Sequence, residues 1–210
     1  MKSLYFVRHG QSEWNATGRM QGQMNSDLSA LGREQADAHG RLLATHGVEA
    51  IYSSPLDRAR QTAEVIRRYV HLDVSCDSRL KEWDCGDWSG QLYEDVKQNW
   101  PVEWAVLEAD RFHYRGPNCE NYPDMIARVS PFIDEILSGD SRRIAIVSHG
   151  LISRVMVGIL MRYGEAEMLT YRQPNDVVYV VHTGTTRLEQ AKVQHYVAGH
   201  GPIDGLVVLD

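Results

Sequence analysis

The sequence predicts an α/β fold, a three-layer α/β/α sandwich whose central sheet is mostly parallel and has an antiparallel edge strand. Two short apolar segments each end in the dipeptide His-Gly, at His9-Gly10 and at His149-Gly150. Between them, apolar strand-like segments alternate with segments of helical periodicity, which is typical of parallel sheets with covering helices. Near the end, residues 176–181 and 186–188 flank a turn at 182–185 and predict an antiparallel hairpin.

The first half of the chain opens on a strand at residues 4–7, which are all apolar and stop at the polar segment 8–10. A largely polar helix is predicted from Ser29 to about Ala44, and Gly47 supplies a stop. A second short strand follows at residues 50–53. The order is therefore strand, helix, strand.

The next predicted helix begins at Ser54-Pro55, where a hydroxyl can cap the helix and a proline can occupy its first turn. Its apolar positions have helical spacing: Leu56, Ala59, Ala63, Ile66 and Val70. A further helix is predicted over residues 122–137, ended by Gly139. The segment 143–148 is a clear apolar strand, and a helix is predicted over 151–161.

Length and charge limit the classes of protein that are possible. With 210 residues, 43% of them hydrophobic, the chain can bury one substantial core, so we predict a single domain over residues 1–210. Its 28 acidic residues outnumber 22 Lys and Arg, giving a formal charge of -6. This argues against nucleic acid or an anionic membrane as a partner, so an anionic substrate must meet a local basic cluster. The oligomeric state is not readable from the sequence.

The three cysteines, Cys76, Cys85 and Cys119, are odd in number and lack CxxC spacing. A disulfide framework or a zinc-thiolate site is therefore not expected. The first residues lack the apolar core of a signal peptide, and no apolar run approaches membrane-spanning length. These features predict a cytoplasmic protein.

The two His-Gly pairs are the strongest functional signal. In open α/β sheets, ligands bind beyond the carboxyl ends of strands, where the connections diverge, and both histidines are predicted to lie there. The glycines Gly10 and Gly150 permit close approach of a ligand to the backbone, or a positive φ angle, where a side chain would obstruct. A single His-Gly would more often be a strand end that hydrogen-bonds a loop, but two at equivalent places favour a site.

Two arginines make this predicted site suitable for an anion. Arg8 precedes the first histidine, and Arg58 lies in the first turn of a helix, where the helix dipole also favours negative charge. The alternative for Arg58 is a solvated helix face. A metal site is disfavoured because none of the nine histidines forms a ligand pair such as HExxH, and neighbouring arginines repel a divalent cation. No metal or other cofactor is therefore expected.

The segment Arg8-His9-Gly10-Gln11-Ser12-Glu13-Trp14-Asn15 resembles the signature of the histidine phosphatase superfamily, in its phosphoglycerate mutase-like branch. The likeness covers nearly the whole chain and extends to residues 53–63, 80–82, 86–90 and 148–150. It implies a phosphoglycerate mutase-like sandwich. It also implies that His9 is the nucleophile and becomes phosphorylated during the reaction.

The same resemblance assigns roles to further residues. It implies that Arg8, Arg58 and His149 hold the transferring phosphoryl group, that Ser12 and Asn15 line the same pocket, and that Glu82 is the proton donor. Read without the motif, Glu82 would be an ordinary surface carboxylate. Further candidates for the pocket are Gln21, Gly22, Gly150 and Glu120. Glu120 is the least certain of these, since Cys119-Glu120-Asn121 stands where many members have Gly-Glu-Ser.

The activity predicted from the resemblance is metal-independent hydrolysis of a small phosphomonoester. The region after Glu82 is compact and more like phosphatases than cofactor-dependent mutases, but phosphoryl transfer of the mutase type remains an alternative, as does a non-catalytic phospholigand-binding module. Residues 83–120 carry most of the tryptophans and are predicted to form a cap over the site, either as a small aromatic core or as a surface that stacks on substrate. A small phosphorylated metabolite is the expected partner, and its identity is left open.

Overall fold

The computed structural model describes residues 1–184 and 190–209. Its strands are β1 Ser3–Arg8, β2 Ala50–Ser53, β3 Val74–Cys76, β4 Arg143–Ser148, β5 Val177–His182, β6 Lys192–Val197 and β7 His200–Asp204. Its α-helices are α1 Glu13–Ala16, α2 Ala30–His46, α3 Asp57–Val70, α4 Tyr93–Asn99, α5 Pro101–Ala109, α6 Tyr122–Ser138, α7 Gly150–Met161 and α8 Glu165–Met168. No helix in these ranges is both long and apolar enough to cross a membrane.

The strands form one sheet in the order β3-β2-β4-β1-β5-β6-β7. The pairings among β3, β2, β4 and β1 are parallel, and those from β1 through β5 and β6 to β7 are antiparallel. The predicted fold class is confirmed, although the antiparallel part is wider than one edge strand. The sequence pattern did not indicate β7 because all of its residues are exposed, so its side chains do not alternate between buried and exposed.

The predicted hairpin near the end is present as the antiparallel pair β5 and β6. Its first strand agrees with the prediction for residues 176–181. The strand predicted at 186–188 lies outside the described residues, and the observed second strand begins at Lys192.

Helices cover both faces of the sheet, as predicted. On one face α2 and α3 pack through residues such as Leu43 and Ile66 against Val7 and Val147. On the other face α6 and α7 form a larger cluster around Phe6. Because both faces of β1 and β4 are covered, these strands are continuous apolar runs, which is why the sequence revealed them so clearly.

The start of α3 differs from the prediction. The helix begins at Asp57, and Leu56 occupies the cap position without a side-chain hydrogen bond. Ser54 does not cap it, because its hydroxyl oxygen accepts from the amide of Leu56, 3.3 Å away, and contacts His149 Nε2 at 2.8 Å. Arg58 nevertheless stays in the first turn, where the sequence placed it.

The topology explains why the two histidines meet. β1 and β4 are parallel neighbours, with Arg8 opposite Ser148, and the His9 amide donates to the Ser148 carbonyl at 3.0 Å. The chain leaves β1 toward α2 on one face and leaves β4 toward α7 on the other. Connections that diverge to opposite faces open a crevice at the strand ends, and both histidines border it.

Residues 83–120, for which a cap is predicted, pack together with Met20 around a smaller hydrophobic cluster. The region contains α4, α5 and a 3₁₀ turn at Gly86–Trp88, and Trp88 is fully buried at its centre with Cys85 and Cys119. Trp83 contacts both this cluster and the main core beside α6 and α7. The smaller cluster is therefore joined to the main core through Trp83, which also lines the crevice.

Candidate active site

His9 has one ring nitrogen fixed as a donor and the other as an acceptor. The ring is 2% exposed, and Nδ1 lies 2.7 Å from the carbonyl oxygen of Gly10, which can only accept. The proton therefore sits on Nδ1, and the lone pair of Nε2 faces the Arg58 guanidinium. Burial, followed by the charges of Arg58 and Arg8, holds the pKa of His9 well below its usual value. The imidazole is thus neutral and nucleophilic at physiological pH.

Gly10 is required here for packing against the protein itself. A Cβ at this position would lie 2.0 Å from the Gly32 carbonyl oxygen, in the first turn of α2. The sequence suggested that this glycine allows a ligand to approach. The structure shows that a helix backbone makes the close approach and so fixes the loop that carries His9.

Arg58 is held in place by three hydrogen bonds. Its Nε donates to His9 Nε2 at 3.2 Å, and its terminal nitrogens donate to the carbonyls of Met24 and Gly22, each at 2.7 Å. Burial lowers the pKa of Arg58 to about 10, so the group still carries its charge near neutral pH. Gly22, a candidate pocket residue, contributes through this carbonyl and positions Arg58.

Arg8 approaches the site from the end of β1. Its Nη1 donates to the Gln173 carbonyl at 2.7 Å, and its buried Nε has no partner among the described residues. Burial lowers the pKa of Arg8. A Cβ on Gly150 would lie 3.4 Å from Arg8 Cζ, so the glycine lets this guanidinium lie against the first residue of α7.

His149 lies against His9, behind the cavity surface. The two rings are 5.1 Å apart in an edge-to-face arrangement, and His149 is fully buried. Its Nε2 bonds the Ser54 hydroxyl, while its Nδ1 has no partner within the described residues. Burial, then the charge of Arg58, keeps the pKa of His149 well below its usual value. The structure thus brings the two predicted histidines together as neutral neighbours.

Glu82 is held by backbone amides at the start of α7. Its carboxylate oxygens accept from the amides of Leu151 at 3.3 Å, Ile152 at 3.2 Å and Trp83 at 3.0 Å. The group lines the same cavity as His9. Nothing in the local sequence except the family motif indicates that this carboxylate faces a site.

A cavity of about 220 Å³ joins most of the predicted residues. Its walls include Arg8, His9, Asn15, Gln21, Arg58, Glu82 and Gly150. Ser12 is buried beneath it and accepts from the Asn15 amide at 3.1 Å, so it positions Asn15 and does not line the cavity.

Glu120 is elsewhere, and the interpretation of this residue as part of the phosphate pocket is wrong for this fold. Its carboxylate binds the Arg128 guanidinium through both oxygens, each at 2.8 Å, and also accepts from the Asp84 amide at 3.0 Å. The reason is that the preceding loop turns Glu120 toward α6. It lines a neighbouring cavity instead.

Three further arginines reach the cavity, and sequence reasoning missed them: Arg19, Arg154 and Arg172. Arg154 lies four residues after Gly150 on α7, so helical spacing could have placed it on the same face. Arg19 and Arg172 lie outside any motif that the sequence presented. With Arg8 and Arg58, five guanidinium groups line a cavity to which Glu82 brings a carboxylate, and this arrangement suits an anion.

These features define a structural class of protein, an α/β/α sandwich with a neutral, buried histidine among arginines at a topological switch point. The family model of the histidine phosphatase superfamily (branch 1) matches residues 4–194. Phosphoserine phosphatase 1 of Hydrogenobacter thermophilus is 32% identical over 87% of this chain and 87% of its own length. The chain therefore belongs to the histidine phosphatase superfamily.

Two further comparisons show the range of the family. A 2,3-bisphosphoglycerate-dependent phosphoglycerate mutase of Sinorhizobium fredii is 32% identical, covering 80% of this chain and 83% of that protein. The structure of a mycobacterial glucosyl-3-phosphoglycerate phosphatase in complex with VO3 has a TM-score of 0.80 at 29% identity, covering 87% of this chain and 93% of that one. The relatives thus include both phosphatases and mutases.

Replacing Arg58 by lysine is expected to lower kcat/KM for a phosphomonoester by roughly 100- to 1,000-fold. A single ammonium cannot meet His9, Met24 and Gly22 in the planar arrangement that the guanidinium provides. Steady-state kinetics measure the change. Arg60→Lys on the same helix is the matched control, since Arg60 is exposed and should retain wild-type kcat/KM. Equal kcat/KM values in both variants would show that Arg58 does not stabilise the transition state.

The stability of the fold is expected to fall as the pH drops from 6.5 toward 5. His9, His149 and His39 have lowered pKa values because of burial, so they stay neutral in the folded chain and become protonated in the unfolded chain. The unfolded state then binds more protons, and each histidine costs about 1.4 kcal/mol per pH unit while its folded form remains neutral. Urea unfolding at several pH values measures this slope.

The double variant His9→Asn, His149→Asn supplies the control for this pH effect. It removes two of the three described histidines whose pKa is lowered and should lose roughly two-thirds of the slope between pH 6.5 and 5. An unfolding free energy that stays constant or rises as the pH falls through this window would contradict the neutral, buried state of these rings.

Proposed function

We propose that this protein is a metal-independent phosphatase that hydrolyses a small phosphomonoester through a phosphohistidine on His9. The observation that carries the proposal is the state of the His9 ring: Nδ1 is fixed as a donor to Gly10, and the lone pair of Nε2 lies among arginines in the cavity. A neutral ring of this kind is ready to attack an electrophile that the surrounding cations hold.

In the first step, His9 Nε2 attacks phosphorus in line with the departing oxygen. The new N–P bond forms as the P–O bond to the leaving group breaks, and Glu82 transfers its proton to the leaving oxygen. Arg8 and Arg58 stabilise the negative charge on the equatorial phosphoryl oxygens. The proton stays on Nδ1 and remains hydrogen-bonded to the Gly10 carbonyl, which supports the positive charge that develops on the ring.

In the second step, Glu82 acts as a carboxylate and takes a proton from a water molecule. The water oxygen forms a bond to phosphorus while the N–P bond breaks, and the electron pair returns to His9 Nε2. Inorganic phosphate leaves, and Glu82 is again protonated for the next cycle. His149 packs against His9 and keeps the ring oriented in both steps.

Metal independence is supported by the chemistry of the residues present. The positive charge that a divalent ion would bring to a phosphoryl group is supplied by fixed guanidinium groups, and those groups would repel such an ion. The test is phosphate release from a panel of phosphomonoesters with and without a chelator. Undiminished turnover in EDTA is expected, and loss of turnover that added Mg²⁺ or Zn²⁺ restores would overturn this part of the proposal.

Transfer of the mutase type is the second candidate, because a mutase is among the 32% identical relatives. The two differ only in what accepts the phosphoryl group. With 3-phosphoglycerate as substrate, a phosphatase releases inorganic phosphate, whereas a mutase forms 2-phosphoglycerate. We expect no isomer above the uncatalysed level, and isomer formation that outpaces phosphate release would favour the mutase.

A cytoplasmic location is part of the proposal. Its support is that the cysteines at positions 76, 85 and 119 are all free thiols, which reducing compartments maintain.

A further inference from the structure

A second cavity adjoins the one that holds His9. It has a volume of about 360 Å³, within the range of small-molecule sites, compared with about 220 Å³ for the first cavity. Four residues line both cavities: Trp83, Tyr93, Leu151 and Arg154. The second cavity is therefore continuous with the reaction site and lies under the cap.

The walls of the second cavity are mostly aromatic and aliphatic. Besides the shared residues, they include Trp104, Tyr114, Tyr122, Leu107, Met125 and Leu169. Such side chains favour a ligand part that leaves water on binding. They offer little to a hydroxyl or carboxylate of a small polar metabolite.

These rings are held in fixed positions. Trp83 Nε1 donates to the Glu120 carbonyl at 2.5 Å, and Glu120 is itself clamped by Arg128. Trp104 packs at 6.1 Å against the fully buried Trp88. The cavity is thus built into the cap before any ligand arrives.

Most charged groups around this cavity are engaged with other groups of the protein. Arg154, which also lines the first cavity, donates to the Tyr122 hydroxyl at 2.8 Å. Lys97 is paired with Glu94 and lies over the Trp104 ring. Glu108 and Arg111, of opposite sign, both stand exposed at the edge. The occupant is therefore best matched by a neutral group.

We infer that the second cavity binds the leaving group of the substrate, and that this group is a neutral, planar apolar ring system joined to the phosphate through a short linker. The inference rests on the proposed function. The phosphoryl group lies among Arg8, Arg58 and His9, the bridging oxygen faces Glu82, and the ring enters between Trp83 and Trp104. Leu107 on α5 lies against the ring at the far wall.

The test compares two primary alkyl phosphates, 2-(2-naphthyl)ethyl phosphate and ethyl phosphate, whose leaving alcohols differ little in chemistry but greatly in apolar area. The wild-type protein is expected to favour the naphthyl compound by about 10- to 100-fold in kcat/KM, because its ring is buried in the transition state. The variant Leu107→Glu introduces a charge into the second cavity and should remove at least about tenfold of this preference. The loss of kcat/KM for ethyl phosphate should be at least about tenfold smaller than the loss for the naphthyl compound.

Val106→Glu is the matched control. Val106 is the neighbour of Leu107 on α5, is 44% exposed and does not line the cavity, so this variant should behave as the wild type with both substrates. Far-UV circular dichroism of both variants verifies that they are folded.

Two outcomes overturn the inference in distinguishable ways. Equal kcat/KM for both compounds in the wild type, or an equal loss for both in Leu107→Glu, refutes the apolar subsite and leaves the phosphatase intact. Failure of the wild type to hydrolyse either compound or p-nitrophenyl phosphate refutes the proposed function, and the inference with it.

Discussion

Replacing His9 with alanine is expected to lower kcat/KM for p-nitrophenyl phosphate by roughly 10,000-fold or more. The reason is that, in the proposed mechanism, Nε2 of this ring forms the bond to phosphorus, and the other histidine of the pair cannot replace it. His149 is fully buried behind the cavity surface, and its Nε2 is bonded to the Ser54 hydroxyl. The measurement is initial-rate kinetics on the purified variant, with far-UV circular dichroism to verify the fold.

The matched control for this experiment is His200→Ala. His200 lies on the exposed edge strand β7, so its removal changes the histidine count without touching the site. Wild-type kinetics are expected for it. If His9→Ala retained more than about a tenth of the wild-type kcat/KM, the nucleophile would have to be another group.

Replacing Glu82 with glutamine is expected to have an effect that depends on the leaving group. Glutamine keeps one oxygen, which in the place of Oε1 can accept from the amides of Ile152 and Trp83, but it loses the bond from the Leu151 amide and cannot transfer an acidic proton. For an alkyl phosphate, kcat/KM should fall by about 100- to 10,000-fold. For p-nitrophenyl phosphate the fall should be much smaller, since nitrophenolate leaves without a proton.

The quantity to compare is kcat/KM, because it reports formation of the phosphoenzyme and does not include its later hydrolysis. Glu34→Gln serves as the control carboxylate: Glu34 is exposed on α2, lines neither cavity and should show no dependence on the leaving group. An equal loss for alkyl and nitrophenyl phosphates in Glu82→Gln would contradict proton donation by Glu82.

The sequence indicated the two histidines at the centre of this site. Each follows an apolar strand, and the fold brings the ends of those strands together. Two apolar strands ending in His-Gly could be recognised from periodicity alone, and parallel neighbours bring their carboxyl ends to one edge. Arg58 was found because a first-turn cation after a strand end is unusual. These are local patterns, and the structure preserves them.

Other features depend on contacts between segments far apart in the chain. Arg19 and Arg172 enter the cavity only because loops from opposite ends of the sequence meet there, and nothing near either residue marks it. Glu120 was misassigned because its partner, Arg128, lies on the following helix and turns the carboxylate away. Ser54 looked like a helix cap, but its hydroxyl contacts a histidine 95 positions later in the chain.

In the proposed mechanism the phosphoryl group is bonded covalently to His9 before it is transferred to water. The most direct measurement is rapid acid-free denaturation of the protein during turnover of a ³²P-labelled phosphomonoester, followed by peptide mapping of the label. We expect one phosphoryl group on the peptide that contains His9. This label should be stable in base, labile in acid and absent from His9→Ala. Label on any other residue, or full phosphatase turnover with no phosphoenzyme formed within a single turnover, would contradict it.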